Sequence, residues 1–227
     1  MKFWAKAASQ KAELYIYDAI GQDYFGDGIS AKSVNDALKE FKPGVALDVF
    51  VNSPGGNVFD GVAIYNQLVR WGGKKTVHID GLAASIASVI AMAGDEIRIA
   101  ENGLMMIHKA WGICAGNDDD MLKYAASLKK VSDTIATTYV SRTKGDAKKI
   151  EGWMAAETWM NADEAVERGF ADVKTGSKAV KAEFAMLAKF TNVPEQLKRQ
   201  ARLPATMCAR MDMRTKHLTR RPAGATA

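Results

Sequence analysis

A serine stands where the chain passes from an extended segment into a run of small and apolar residues. The segment is Gly81-Leu-Ala-Ala-Ser85, and the run extends to Ala93. A helix that is apolar on every face must be buried, and a hydroxyl at its start lies beside backbone N–H groups that can stabilise an oxyanion. Ser85 is therefore a candidate nucleophile. The alternative is that Ser85 only caps a closely packed helix. Ser88, inside the helix, is a weaker candidate because its hydroxyl is expected to bond the preceding turn.

One of three histidines is placed to act as a base. His108 follows the apolar run Met105-Met-Ile, which predicts a strand that delivers the imidazole to a sheet edge. An imidazole with an ordinary pKa of ~6.5 can accept a serine proton and return it to a leaving amine. Paired with Ser85, His108 would be the general base. Taken alone, a histidine at a strand end is more often structural or solvated.

A third group must orient the imidazole and stabilise its protonated form. Glu157 precedes a short apolar segment and a helix capped by Asn161. A single glutamate in a chain with 25% charged residues is more often solvated, and the residues alone leave Asp163 and Glu164 open as alternatives.

Two successive glycines in Asn52-Ser-Pro-Gly-Gly-Asn57 allow the backbone to approach a ligand closely. If the Gly56 N–H faces Ser85, it forms one half of an oxyanion hole, and the Ile86 N–H forms the other. The alternative is an ordinary tight turn.

The elements that must position these residues alternate between short apolar runs and segments of helical period, which predicts βαβ units and a mostly parallel sheet. Strands are predicted at 13–17, 45–51, 76–79, 96–99 and 104–107. Helices are predicted between Ser30 and Pro43, and at 58–69, 118–142 and 162–168, with 85–93 buried if helical.

Composition divides the chain into two parts. From position 186 onward there are nine lysines and arginines and two acidic residues, a net charge of +7, whereas the first 185 residues hold 22 basic and 24 acidic residues, a net charge of −2. We predict one domain at 1–175 and a basic, largely flexible tail at 176–227. The overall charge of +5 therefore does not indicate a nucleic-acid-binding domain.

Other features exclude several classes of protein. No apolar stretch approaches the roughly 20 residues of a membrane span, and no secretory signal is visible. Two cysteines, Cys114 and Cys208, fit a reducing compartment, so we expect a cytoplasmic protein. No metal-ligand spacing and no phosphate-binding loop is present, so neither a metal nor a cofactor is predicted. Cys114 is expected to be a small, buried, apolar residue and not a nucleophile.

Four motifs occur together in a recognisable order: 52–56, 81–85, 106–108 and 157–165. In order and approximate spacing they resemble the Clp protease proteolytic subunit (ClpP) family, and the resemblance covers about Ala12 to Val173. Within that family, Val58–Tyr65 and Ala84–Gly94 look most like the phage and prophage proteases placed among head maturation proteases.

The resemblance implies an α/β fold, a ClpP/crotonase-like spiral of βαβ units with a long handle helix that matches 118–142. It implies Ser85 as nucleophile, His108 as general base, and Gly56 and Ile86 as oxyanion donors. Glu157 stands where the bacterial housekeeping enzymes have aspartate. The family assembles into rings, often two stacked heptamers, and works with an AAA+ unfoldase.

We therefore predict a serine endopeptidase acting on proteins, with a phage capsid or scaffold protein as a candidate substrate in the host cytoplasm or procapsid. Two alternatives remain. One is a crotonase-type acyl-CoA enzyme, which would use acidic catalytic groups. The other is a non-catalytic binding protein on the same fold, whose basic tail would contact nucleic-acid phosphates in a salt-sensitive way.

Overall fold

The computed structural model describes residues 3–7, 11–21, 28–176 and 190–194. The chain divides into two units, Met1–Ala182 and Glu183–Ala227, and the fold described here belongs to the first. Apart from Gly176 and 190–194, the predicted tail at 176–227 lies outside the described residues.

Eight strands form one mixed sheet within the described residues. The strands are β1 (Phe3–Ala7), β2 (Lys11–Ile16), β3 (Ala46–Ser53), β4 (Lys75–Ala84), β5 (Glu96–Ala100), β6 (Leu104–Ile107), β7 (Thr158–Asn161) and β8 (Val173–Thr175). Their order is β1-β2-β3-β4-β5-β8, and β6 pairs with both β4 and β7. The pairings are parallel except β1 with β2 and β6 with β7.

Helices follow strands along most of this chain. They are α1 (Ala31–Lys39), α2 (Val58–Val69), α3 (Ile86–Ala91), α4 (Asp118–Thr143), α5 (Ala147–Ala155) and α6 (Ala162–Glu167). Side-chain oxygens cap five of them: those of Ser30, Asn57, Asn117, Asp146 and Asn161. These oxygens satisfy N–H groups that lack a partner in the first turn of a helix.

Successive side chains of the central strands point to opposite faces of the sheet, so every second residue points into the core. Leu47, Val49 and Val51 of β3 are fully buried and belong to one hydrophobic cluster together with residues of α1 and α2. Strands with covered apolar faces, connected by helices, define an α/β fold. The predicted α/β class is confirmed, and so is the predicted long helix, α4, which has 26 residues.

Several elements differ from the sequence-based prediction. Strand β4 does not end at Ile79; it continues through Gly81-Leu-Ala-Ala because β6 pairs with its last three residues. Strands β1, β7 and β8 and helix α5 were not predicted. Within the part of the chain that the structure describes, no helix is long and apolar enough to cross a membrane.

Candidate active site

Strand register brings three of the sequence-predicted site residues to one edge of the sheet. In the parallel pair β4 and β6, Ala84 is opposite Met106, so Ser85 and His108 both follow strand ends at the same edge. In the antiparallel pair β6 and β7, Ile107 is opposite Thr158. Glu157 therefore comes just before the start of β7, at the edge where β6 ends.

Ser85 has a backbone conformation that residues with a side chain rarely adopt. Its φ is 55° and its ψ is −129°, and its side chain makes no capping hydrogen bond to α3. Ser85 therefore stands at the N-cap position of α3, as the alternative expected, but its hydroxyl does not cap the helix. Instead Ser85 Oγ lies 2.7 Å from His108 Nε2. The Ser85 N–H donates to the Met106 carbonyl at 2.9 Å, which ties the serine to the strand that leads to His108.

His108 is half-buried, and its surroundings favour the neutral imidazole. Burial lowers the pKa of His108 below its ordinary value, and the negative charge of Glu157 opposes that change. A neutral imidazole can accept the Ser85 proton on Nε2 when its own proton is on Nδ1. The structure thus holds His108 in the protonation state that a general base needs near neutral pH.

Glu157 is fixed by its backbone and by a neighbouring indole. Its φ is 48°, and its Oε1 accepts a hydrogen bond from Trp159 Nε1 at 3.4 Å. The carbonyl of Met154 accepts hydrogen bonds from the N–H groups of both Glu157 and Lys109, at 3.3 and 3.2 Å. That shared acceptor connects the turn before Glu157 to the segment that follows His108.

The two alternative acids are engaged elsewhere. Glu164 forms a capping box with Asn161, in which each side chain accepts the other residue's N–H at 2.9 Å. Asp163 pairs with the Lys174 ammonium at 2.5 Å. Glu157 is the acid whose charge acts on His108.

The loop from β3 to α2 lies directly against the serine. A Cβ placed on Gly55, whose φ is +82°, would lie 2.6 Å from the Ala84 carbonyl oxygen, 2.7 Å from Ser85 Cβ and 3.1 Å from Ile86 N. Only glycine allows this approach. Ile20 holds the loop from the other side, donating to the Gly55 carbonyl at 2.9 Å and accepting from Asn57 N–H at 2.8 Å.

The two candidate oxyanion donors, Gly56 and Ile86, directly follow Gly55 and Ser85, the two residues that approach each other. Gly56, with φ +152°, follows Gly55, and Ile86 is the first residue of α3. Within the described part of the chain, no hydrogen-bond acceptor is found for either N–H. Both groups can therefore donate to a bound substrate.

Sequence reasoning missed residues that hold this geometry. Asn52 is buried, and its Oδ1 accepts the Leu82 N–H at 3.1 Å, which joins the end of β3 to the second half of β4. Gly55 was not distinguished from Gly56, although two adjacent glycines were visible in the sequence.

Two further described residues, His78 and Cys114, have side chains that could carry chemistry. His78 stacks on Phe50, with ring centroids 4.7 Å apart, and its Nε2 is 3.5 Å from Asp48 Oδ1. Cys114 is a free thiol that is partly exposed, so the expectation that it is buried is wrong. His217 lies outside the described residues. No group of three or more His, Cys, Asp or Glu residues that could hold a metal ion occurs among the residues that are described.

A cavity of about 390 Å³ opens beside the segment that follows His108, between α4 and α5. Its lining is largely apolar, with charged side chains also present: Lys109, Ala110, Ala125, Leu128, Lys129, Ser132, Asp133, Ala136, Glu151 and Met154. Ser132 accepts the Ala110 N–H at 3.0 Å, so α4 also supports this segment.

A serine hydroxyl hydrogen-bonded to a histidine at the strand ends of an α/β fold is an arrangement used by serine hydrolases. Residues 11–175 match the family described as Clp protease. The chain belongs to the Clp protease family, a family of serine peptidases.

Relatives agree with this assignment. The chain is 30% identical over 159 residues to "ATP-dependent Clp protease proteolytic subunit 1" of Chlamydia abortus, covering 66% of this chain and 83% of that protein. It is 30% identical over 152 residues to "ATP-dependent Clp protease proteolytic subunit" of Porphyromonas gingivalis, covering 66% of this chain and 68% of that protein. The corresponding protein of Bacteroides thetaiotaomicron is 28% identical over 152 residues, with the same coverage.

Proposed function

We propose that this protein is a serine endopeptidase in which Ser85, His108 and Glu157 form the catalytic triad. The observation that carries the proposal is the 2.7 Å contact between Ser85 Oγ and His108 Nε2. Burial lowers the pKa of His108 and so favours the neutral imidazole, which is the base that a serine nucleophile requires.

The reaction follows from this arrangement. Ser85 Oγ attacks the carbonyl carbon of the scissile peptide while its proton passes to His108 Nε2. The oxyanion accepts hydrogen bonds from the Gly56 and Ile86 N–H groups. The Nε2 proton then passes to the leaving nitrogen as the C–N bond breaks, which leaves an ester on Ser85. Water, deprotonated by His108, hydrolyses the ester, and the proton returns to Ser85.

Glu157 serves this cycle through charge. Its carboxylate raises the pKa of His108 and so stabilises the imidazolium that forms when the serine proton is transferred. Glutamate has one methylene more than the aspartate of the housekeeping enzymes that the sequence resembles. The φ of 48° at Glu157 places this longer side chain on an unusual backbone turn.

The cavity between α4 and α5 is the proposed site for a substrate side chain next to the cleaved bond. It adjoins Lys109 and Ala110, directly after the proposed base, and Leu128, Ala136 and Met154 contribute apolar surface to it. A largely apolar cavity of about 390 Å³ suits a medium-sized apolar side chain.

Self-association into rings and cooperation with an AAA+ unfoldase are part of the same proposal. Relatives carry the description "ATP-dependent", whereas this sequence holds no Gly-x-x-x-x-Gly-Lys-Ser/Thr loop. Any ATP hydrolysis would therefore be carried out by a partner. Exposed apolar side chains near the start of α4 support association between copies of the chain.

The natural substrate that we propose is a phage capsid or scaffold protein, cleaved in the host cytoplasm or procapsid. The support is the resemblance of 58–65 and 84–94 to phage and prophage head maturation proteases. Incubating a candidate capsid or scaffold protein with the wild-type protein, and identifying new termini by mass spectrometry, tests this assignment.

Hydrolysis of fluorogenic peptides by the wild-type protein and by Ser85→Ala tests the proposed activity. We expect turnover by the wild type and a loss of roughly 10⁶-fold in the variant, with unchanged thermal unfolding. A parallel assay of acyl-CoA thioester hydrolysis separates the crotonase alternative. Acyl-CoA turnover without peptide turnover, or full peptide turnover by Ser85→Ala, would contradict the proposal.

A further inference from the structure

A chain of two buried hydroxyls joins the long helix to the proposed nucleophile. Ser88 Oγ lies 2.6 Å from the Ser85 carbonyl oxygen and 2.8 Å from the hydroxyl of Tyr139 in α4. Ser88 is 0% exposed and Tyr139 is 1% exposed. The Tyr139 ring packs edge-on against Phe170, with centroids 5.5 Å apart, which fixes the position of its hydroxyl.

The donors in this chain can be assigned. A carbonyl oxygen only accepts, so the single proton of Ser88 Oγ is donated to the Ser85 carbonyl. Ser88 must then accept from Tyr139, and the hydrogen bonds run from Tyr139 to Ser88 to Ser85. Burial raises the pKa of Tyr139, so the phenol keeps the proton that it donates.

The carbonyl at the end of this chain belongs to the same peptide unit as the Ile86 N–H. A trans peptide is planar, and its C=O and N–H point in opposite directions. The Ser85 carbonyl accepts from Ser88 Oγ and also from the Ser88 N–H at 3.0 Å. Holding this carbonyl toward Ser88 therefore turns the Ile86 N–H away from Ser88 and opposes rotation of the peptide.

The hydrogen bonds to the Ser85 carbonyl restrain a peptide group that follows a strained residue. The φ of Ser85 is the backbone dihedral just before this peptide group, and its value of 55° lies in a region that is strained for residues with a side chain. Rotation of the peptide that follows would move the Ile86 N–H away from the nucleophile and remove one oxyanion donor.

On the basis of the proposed function, we infer that Ser88 and Tyr139 are positioning residues that hold the Ser85–Ile86 peptide with its N–H toward the oxyanion. Neither side chain touches the substrate. They act only through the orientation of one peptide group, and their contribution is expressed in the transition state more than in substrate binding.

The experiment measures kcat and KM for a fluorogenic peptide, and inhibition by a peptide aldehyde whose adduct with Ser85 places an oxyanion in the hole. We expect Ser88→Ala to lower kcat about 10- to 100-fold with little change in KM. Aldehyde affinity falls by a similar factor. Tyr139→Phe, which keeps the packed ring, lowers kcat about 3- to 10-fold because one hydrogen bond is lost.

A double variant tests whether the two residues act in series. Because Tyr139 acts through Ser88, Ser88→Ala combined with Tyr139→Phe should have the kcat of Ser88→Ala alone. The acid limb of the pH profile, which reports the base His108, should stay in place in all three variants.

The matched control is Ser33→Ala in α1. Ser33 Oγ donates to the carbonyl of Ser30, three residues earlier, at 2.8 Å, which is the same bond as that from Ser88 to Ser85 but on a helix away from the site. We expect unchanged kcat and aldehyde affinity for this variant.

Three results would overturn the inference while the proposed function stands: unchanged kcat in Ser88→Ala, a rise in KM alone, or lower kcat with undiminished aldehyde affinity. Additive effects in the double variant would also contradict it. A wild-type protein that neither cleaves peptides nor reacts at Ser85 would refute the proposed function and, with it, this inference.

Discussion

At the scale of single residues, Ser85 and Glu157 share an unusual property. Their φ values are 55° and 48°, and neither residue is glycine. Such conformations cost on the order of 1–3 kcal/mol and persist where surrounding contacts hold them. At Ser85 those contacts are the Met106 carbonyl, which accepts its N–H, and Ser88, which donates to its carbonyl. Glu157 directly follows the C-cap of α5, and Lys144 at the end of α4 has a similar φ of 52°, so this conformation is common where helices end. Ser85 lies instead at the start of a helix, with ψ −129°, and its strain supports a role for this edge in chemistry.

Removal of the Glu157 charge should change the pH dependence in a defined direction. Burial lowers the pKa of His108 and Glu157 raises it, so the wild-type kcat/KM should rise with pH through a midpoint below ~6.5. In Glu157→Gln the opposing charge is lost, and the pKa falls further. We expect the midpoint to move to lower pH and the plateau to fall roughly 10²- to 10⁴-fold.

Glu157→Asp is the matched variant, because it keeps the charge and shortens the side chain. Its acid limb should stay closer to that of the wild type. An unchanged profile in Glu157→Gln, together with a shifted profile in Asp163→Asn, would move the role of the third acid to Asp163.

At the scale of elements, the sequence predicts most of the parts that carry the site. Asn161 was expected to cap α6, and the structure confirms it; Gly169, at φ +78°, follows the end of this helix. Helix α4 was expected at 118–142 and spans Asp118–Thr143. Caps, helical periodicity and glycine stops are local signals, which is why these predictions succeed.

What could not be predicted depends on contacts between distant segments. Residues 82–84 are extended because β6 pairs with them, and β7 has only four residues, which form a strand against β6. The hydrogen bond between Ser88 and Tyr139 joins residues 51 positions apart. In contrast, helix α5 had a visible capping residue, Asp146, before its apolar positions, and was overlooked.

The glycine loop between β3 and α2 leaves no room for a side chain at Gly55. Gly55→Ala would place a methyl group 2.6 Å from the Ala84 carbonyl and 2.7 Å from Ser85 Cβ, so the loop and the serine must move apart. We expect kcat/KM for peptides to fall by more than about tenfold, together with a lower thermal midpoint.

Gly44→Ala is the control, because its φ of +79° is nearly the same but no atom lies within 4 Å of the added methyl. This variant carries only the backbone strain. We expect the strain to lower the free energy of unfolding by roughly 1 kcal/mol and the thermal midpoint by about 2–4 °C. Its kcat/KM should be unchanged. Equal activity losses in the two variants would show that the approach of Gly55 to Ser85 has no catalytic importance.

At the scale of the whole molecule, apolar side chains are exposed close to the site. Ile113 and Leu122 are 87% and 69% exposed, and Trp111 and Met121 are also exposed. They lie on the segment after His108 and on the first turns of α4. A monomer rarely leaves such a group uncovered, so we expect copies of the chain to meet here.

Charge placed at this surface should weaken assembly. We expect Ile113→Glu combined with Leu122→Glu to lower the mass measured by sedimentation or light scattering, because burying two carboxylates without partners is costly. Val69→Glu at the end of α2, where the side chain is 50% exposed, is the matched control and should leave the mass unchanged. Assembly that persists in the double variant would exclude this surface.

Covalent labelling of the protein with a fluorophosphonate, followed by mapping of the adduct by mass spectrometry, tests directly whether Ser85 is the nucleophile. The neutral imidazole 2.7 Å from Ser85 Oγ should make this serine react faster than any other hydroxyl. We predict a single adduct on Ser85, no adduct in Ser85→Ala, and much slower labelling in His108→Ala. An adduct on a different residue, or labelling of Ser85→Ala at the wild-type rate, would contradict the assignment of Ser85 as the nucleophile.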